Sequence, residues 1–127
     1  MKILKKVLLS LLIAASMGAV STSAVAADAG RIVYAPADAI DMTLDKIKIA
    51  IDAIANGSEG AAVAALIKDA LDSTKEINAN DKVDVARSKA SSKLKNARTH
   101  AKENALQEAE QELKAAQKAF SDLKGLL

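Results

Sequence analysis

Any chemistry in this chain would have to begin at His100. It is the only histidine in 127 residues, and there is no cysteine. It lies in the stretch NARTHAKENAL (96–106), with Glu103 and Asn104 about one helical turn away. An imidazole beside carboxylates can hold a divalent ion, but protein metal sites usually gather three or four such groups. If the chain folds as antiparallel hairpins, the segment 56–60 shares an end with this stretch, and Glu59 becomes a third donor. His100, Glu103 and Glu59 are therefore the candidate metal ligands, one nitrogen and two carboxylates for copper, nickel or zinc. The simpler alternative is a surface histidine near a helix C-terminus, where the helix dipole favours a cation.

Other chemistries find less support. Met42 is the only soft ligand outside the leader, and some 19 helical residues, about 25–30 Å, would separate its end from that of His100. The two cannot ligate one haem iron or copper within a monomer, so Met42 is expected in the core. The chain has no Ser/His/Asp arrangement, no Gly-rich phosphate loop and no Glu-x-x-His pair; His100-Ala101-Lys102-Glu103 has the reverse order and occurs once. No catalytic site is expected, and the protein reads as non-enzymatic.

Charge is unevenly spread. Between 85 and 102 stand Arg87, Lys89, Lys93, Lys95, Arg98 and Lys102, with no acid. Glu103, Glu108, Glu110 and Glu112 follow. In an antiparallel hairpin those acids would lie beside the bases, and internal pairing is the expectation over an anionic partner. Each group would also sit at the helix end its charge prefers, worth about 0.3–1 kcal/mol.

The elements that must position these residues begin with an address. Lys2, Lys5 and Lys6 precede an apolar run over 7–20, and Ala24-Val25-Ala26 has the small-x-small form of a cleavage site. Residues 1–26 read as a secretory signal peptide, which places the protein in the periplasm or outside the cell; the run is too short for a span of about 20 residues. Cleavage after Ala26 leaves 101 residues, one small domain. Three of the 18 basic residues lie in the leader, so the remainder carries 15 against 16 acids, a net of −1. The sequence pI of 8.8 belongs to the whole chain and is no argument for nucleic acid.

After an arm at 27–35, apolar residues over 36–127 recur at three and four. Ile40, Leu44, Ile47, Ile51 and Ile54 form one stripe; Val63, Ile67, Ala70, Thr74 and Ile77, widened by Leu66 and Leu71, form another. Val83, Ala86, Ala90, Leu94, Ala97 and Ala101 follow, then Leu106, Ala109, Leu113, Ala116, Phe120 and Leu123. Such spacing buries one face of each of four helices. Pro36 suits a first helical position, Asp38 a first turn, and Asn56-Gly57 a left-handed close. Ser58, then Asn80 or Asp81, are expected caps, and Asn104 with Gln107 a capping pair that separates the last two helices. An offset of 43 residues overlays the halves, pairing Ile40 with Val83, Ile51 with Leu94 and Ile77 with Phe120. The expected fold is all-α: an up-down-up-down four-helix bundle of two hairpins with an alanine-rich core, and Tyr34 folded against Phe120 and Ile77.

The hairpin AIDAIANGSEG (50–60) and its continuation LIKDAL (66–71) resemble the A-x-x-A-x-x-x-G-x-x-G hairpin of the periplasmic small metal-binding protein family. The doubled hairpin, leader and length are also similar. The resemblance implies divalent-metal binding through histidines, but the positions that would carry them hold Asp52, Ala61, Asp69 and Asp72, leaving His100. The stretch Asp41-Met42-Thr43-Leu44 is similar to the methionine-bearing first helix of soluble periplasmic b-type cytochromes, also four-helix bundles. Their second haem ligand is a histidine near the end of the last helix, where this chain has Ala119-Phe120-Ser121-Asp122, so haem is not expected. Two functions follow: a small secreted binding protein with weak divalent-metal affinity, or a ligand-free structural or protein-interaction module, dimeric through its alanine-rich faces. Neither expects a nucleic-acid partner or stable membrane insertion after cleavage.

Overall fold

The computed structural model describes residues 32–127; the leader 1–26 and residues 27–31 of the arm lie outside them. Pro36 opens α1 (Pro36–Ala55), where its missing N–H costs nothing, and Asp38 sits in the first turn. The helix closes at Asn56-Gly57. Gly57 takes φ 80°, its N–H bonds to Ile54 O (3.1 Å), and the Ser58 N–H bonds to Ala53 O (2.9 Å). This paired closure satisfies carbonyls that a helix end would otherwise leave bare. Ser58 is thus spent on closing α1. It does not cap α2 (Gly60–Thr74), whose N-cap is Glu59, with no side-chain cap bond.

The cap of α3 (Asp81–Lys102) is Asn80, whose side chain accepts from the Val83 N–H at 3.0 Å. The break before α4 (Leu106–Asp122) forms as expected, but the capping pair does not. Asn104 has φ 62°, its N–H bonds to Ala101 O (3.0 Å), and the Ala105 N–H bonds to His100 O (2.8 Å). Asn104 closes α3 in the left-handed conformation, and Ala105 takes the N-cap of α4 without a side-chain bond. A 3₁₀ turn (Leu123–Leu126) follows.

Tyr34–Leu127 form one compact unit. In it α1 packs on α2, α2 on α3, α3 on α4, and α1 also on α4. Among the described residues twenty apolar ones are buried, ten of them alanine, so the helices gain closeness rather than large buried side chains. The α3 face is Val83 and Leu94 among Ala90, Ala97 and Ala101. Thr43 is also fully buried; its hydroxyl donates to Ala39 O at 3.0 Å, so it enters the core without an unpaired group. Met42 is only half-buried and does not join the core. Phe120 and Ile77 are fully buried, whereas Tyr34 is exposed (37%).

The halves do repeat, but not at an offset of 43. Buried Thr43, Ile47 and Ala50 match buried Ala90, Leu94 and Ala97 at 47. Val63, Ile67, Ala70, Thr74 and Ile77 match Ala109, Leu113, Ala116, Phe120 and Leu123 at 46. Gly57 and Asn104 are then equivalent, both closing a helix with positive φ. The offset drops by one because Ala105 is at once the end of one closure and the cap of the next helix, roles that Ser58 and Glu59 divide.

Candidate functional site

The two closures meet. A Cβ built on Gly60 would lie 2.2 Å from Ala101 O and 3.0 Å from Asn104 Oδ1, so the start of α2 presses its backbone on the end of α3. Glu59 is the residue before this contact. His100 Nδ1 and Glu103 Oε1 are 4.0 Å apart, one turn along the chain, with side chains 36% and 66% exposed. His100 and Lys102 occupy the last turn of α3, where the dipole favours positive charge. His100 and Glu103 thus stand side by side at the end of α3. Glu59 does not complete the set: among the described residues, no three His, Cys, Asp or Glu groups stand close enough to hold a metal ion.

The opposite end is tied by polar contacts that the sequence did not announce. The Arg87 guanidinium donates to Ile77 O (2.8 Å) and Asn78 Oδ1 (3.3 Å), pinning α3 to the connection before it. Asn80 Nδ2 donates to Leu126 O (3.1 Å), binding the start of α3 to the 3₁₀ turn. Lys124 pairs with Asp41, joining that turn to α1.

Between these ends run two basic flanks of α3, Lys82, Lys89 and Lys93 on one side of its buried stripe and Lys95, Arg98 and Lys102 on the other. Their charges are not paired across the helices as expected. Arg87 has Asp84 at 3.7 Å on its own helix. Among the described residues, Lys89, Lys93, Lys95, Arg98 and Lys102 have no carboxylate within 4.0 Å. Glu110, which was to face this helix, pairs instead with Lys114 one turn on (3.8 Å). Side chains at i and i+4 on one helix meet by geometry alone, whereas pairing across helices needs a matching rotation of both. Arg98 Nε is enclosed and makes no hydrogen bond.

Comparison with protein-family models, characterised proteins and solved structures finds no match to this chain.

One feature of the basic face escaped sequence reading. Lys82, Val85, Ala86 and Lys89, with Asp81, line a shallow open depression of about 440 Å³, which Leu126 completes. Val85 is 58% and Leu126 38% exposed. Lys82, Lys89, Lys93 and His100 are spaced by seven, four and seven, so they share one stripe of α3. That stripe was visible in the spacing. Leu126 was not, because only the 3₁₀ turn carries it back to the start of α3. No described helix is long and apolar enough to cross a membrane.

Proposed function

We propose that this chain is a secreted, non-enzymatic up-down-up-down four-helix bundle that binds an acidic protein partner through the exposed basic surface of α3. One observation carries this reading: Lys89, Lys93, Lys95, Arg98 and Lys102 have no acidic neighbour within 4.0 Å among the described residues. Lys89 and Lys93 stand on one exposed flank of the buried stripe of α3, and Lys95, Arg98 and Lys102 on the other. Charge left without an acidic neighbour on such a flank steers association with a surface of opposite sign. A protein suits the face better than single-stranded nucleic acid. Bases need exposed rings to stack on, and α3 carries no Phe, Tyr or Trp, only the single imidazole of His100 at its end.

The test is binding of polyglutamate at low and physiological salt. Affinity is expected to fall steeply with salt and to drop about tenfold or more in a Lys89→Gln/Lys93→Gln/Lys95→Gln variant. Equal binding by the variant, or none at low salt, removes this reading.

Weak divalent-ion binding is the second reading, favoured by the 4.0 Å approach of His100 to Glu103. The contact of Gly60 with Ala101 also keeps the Glu59 segment nearby. Glu59 would have to move to join the pair.

A further inference from the structure

We infer that the depression at the start of α3 is a docking site for one apolar side chain of an acidic peptide segment, whose carboxylates lie along the lysines beside it. The inference rests on the basic-face reading and specifies where and how the partner binds. Its floor is apolar: Val85, Ala86 and Leu126. Lys82 and Lys89, with the single acid Asp81, complete its lining, and Lys93 continues the stripe one turn further along α3, so lysines outnumber the acid along it. Val85 and Leu126 come from different elements, yet both keep more than a third of their surface exposed. Such apolar surface gains by being covered, at about 25 cal/mol per Å². What covers it must also place negative charge over Lys82, Lys89 and Lys93, because none of the three has a carboxylate within 4.0 Å among the described residues. A purely apolar partner would leave these ammonium groups desolvated and unpaired, which is costly. An extended acidic segment satisfies both demands, and charge complementarity along the stripe fixes its register.

The depression is held in shape. The Asn80 side chain spans from the Val83 N–H (3.0 Å) to Leu126 O (3.1 Å), fastening the floor residue Leu126 to the first turn of α3. Lys124 secures the same turn to Asp41. A site already formed spends less of its binding energy on ordering its own parts.

The experiment compares two short polyglutamate peptides by fluorescence anisotropy with the full chain. One carries a central leucine and the other an alanine at that place. The leucine peptide is expected to bind about tenfold tighter, the effect of burying roughly two extra methylene equivalents. The Val85→Ser/Leu126→Ser variant, altered only at exposed positions, is expected to abolish that difference while retaining salt-dependent binding. Circular dichroism confirms that it folds. An Asn80→Ala variant, which frees Leu126, is expected to reduce the difference as well. If both peptides bind equally and with salt dependence, the docking site is overturned and the basic-face reading stands. If neither binds at low salt, both fail. If decanoate displaces the leucine peptide at equal concentration, the depression takes a free amphiphile rather than a peptide side chain, and the proposal is overturned.

Discussion

Gly60 lies against the carbonyl of Ala101 so closely that a methyl group there would sit 2.2 Å from the oxygen. The obstacle is backbone, and that carbonyl also accepts the N–H of Asn104 at 3.0 Å, so it is not free to swing aside. Gly60→Ala should therefore separate α2 from the end of α3 and destabilise the fold by about 1–3 kcal/mol, despite alanine's better helix propensity. Urea unfolding of the single variant reads this directly. A neutral or stabilising result would mean that the two closures do not touch.

Asn104, the counterpart of Gly57, makes a sharper prediction because two roles compete for it. As an N-cap it would be replaceable by serine. In its observed left-handed conformation, φ 62°, it is replaceable by glycine. Asn104→Gly should leave stability within about 0.5 kcal/mol of the parent or raise it, whereas Asn104→Ser should cost about 1 kcal/mol. Gln107→Ala should be nearly silent, since no capping pair exists for it to break. Thermal melts of the three variants distinguish the roles.

These two residues also mark how far the sequence could be read. The period of three to four located the buried stripes of α2, α3 and α4. In α1, by contrast, Ala39, Thr43, Ala50 and Ala53 are buried with Ile40 and Ile47, and Leu44, Ile51 and Ile54 lie only half-buried beside them. Gly57 announced its turn because only glycine is at ease with positive φ. Asn104 did not, because asparagine is favoured both at N-caps and in left-handed closures, and the choice between them is one residue of phase. The same single residue blurred the repeat, whose offset is 47 before the turn and 46 after it. The charges were misread for another reason. Side chains with several rotatable bonds choose between an i+4 neighbour and a facing helix by rotations that no spacing rule encodes, and Glu110 took Lys114. Of the candidate ligands, His100 and Glu103 were legible because they share a helix end. Glu59 needed side-chain reach as well as topology.

Asp72 gives a pH-dependent prediction. The hydrogen bond from Lys68 (3.1 Å) is the main reason its carboxyl is held below the ordinary carboxylate value, with the charge of Lys75 at 3.7 Å adding to it. A lowered carboxyl in the folded state contributes stability that is fully present above the unfolded value and is lost as pH falls through the folded one. The pair is half-exposed, so the contribution is small, well under about 1 kcal/mol. Asp72→Asn should lower stability by a few tenths of a kcal/mol at neutral pH. The difference should vanish in acid, below the ordinary aspartate value of 3.8, and shrink with added salt. Denaturant midpoints measured across pH for both proteins check the sign.

Metal titration ranks the two functional readings. Two donors on adjacent turns, His100 and Glu103, make a site open to water on its remaining sides. Stabilisation by a bound ion follows the logarithm of its concentration over the dissociation constant, so a weak site shifts melting only at high metal concentrations. Micromolar zinc, nickel or copper ions should therefore leave the melting temperature unchanged in the parent and in His100→Ala alike. A micromolar shift that His100→Ala abolishes would require a third donor, and Glu59, next to the Gly60 contact, is the residue placed to supply it. Loss of that shift in Glu59→Gln would identify the donor and put metal binding ahead of the acidic partner. A shift unaffected by either substitution would locate the ion away from His100 and Glu59, and would leave the basic surface of α3 as the surface to test.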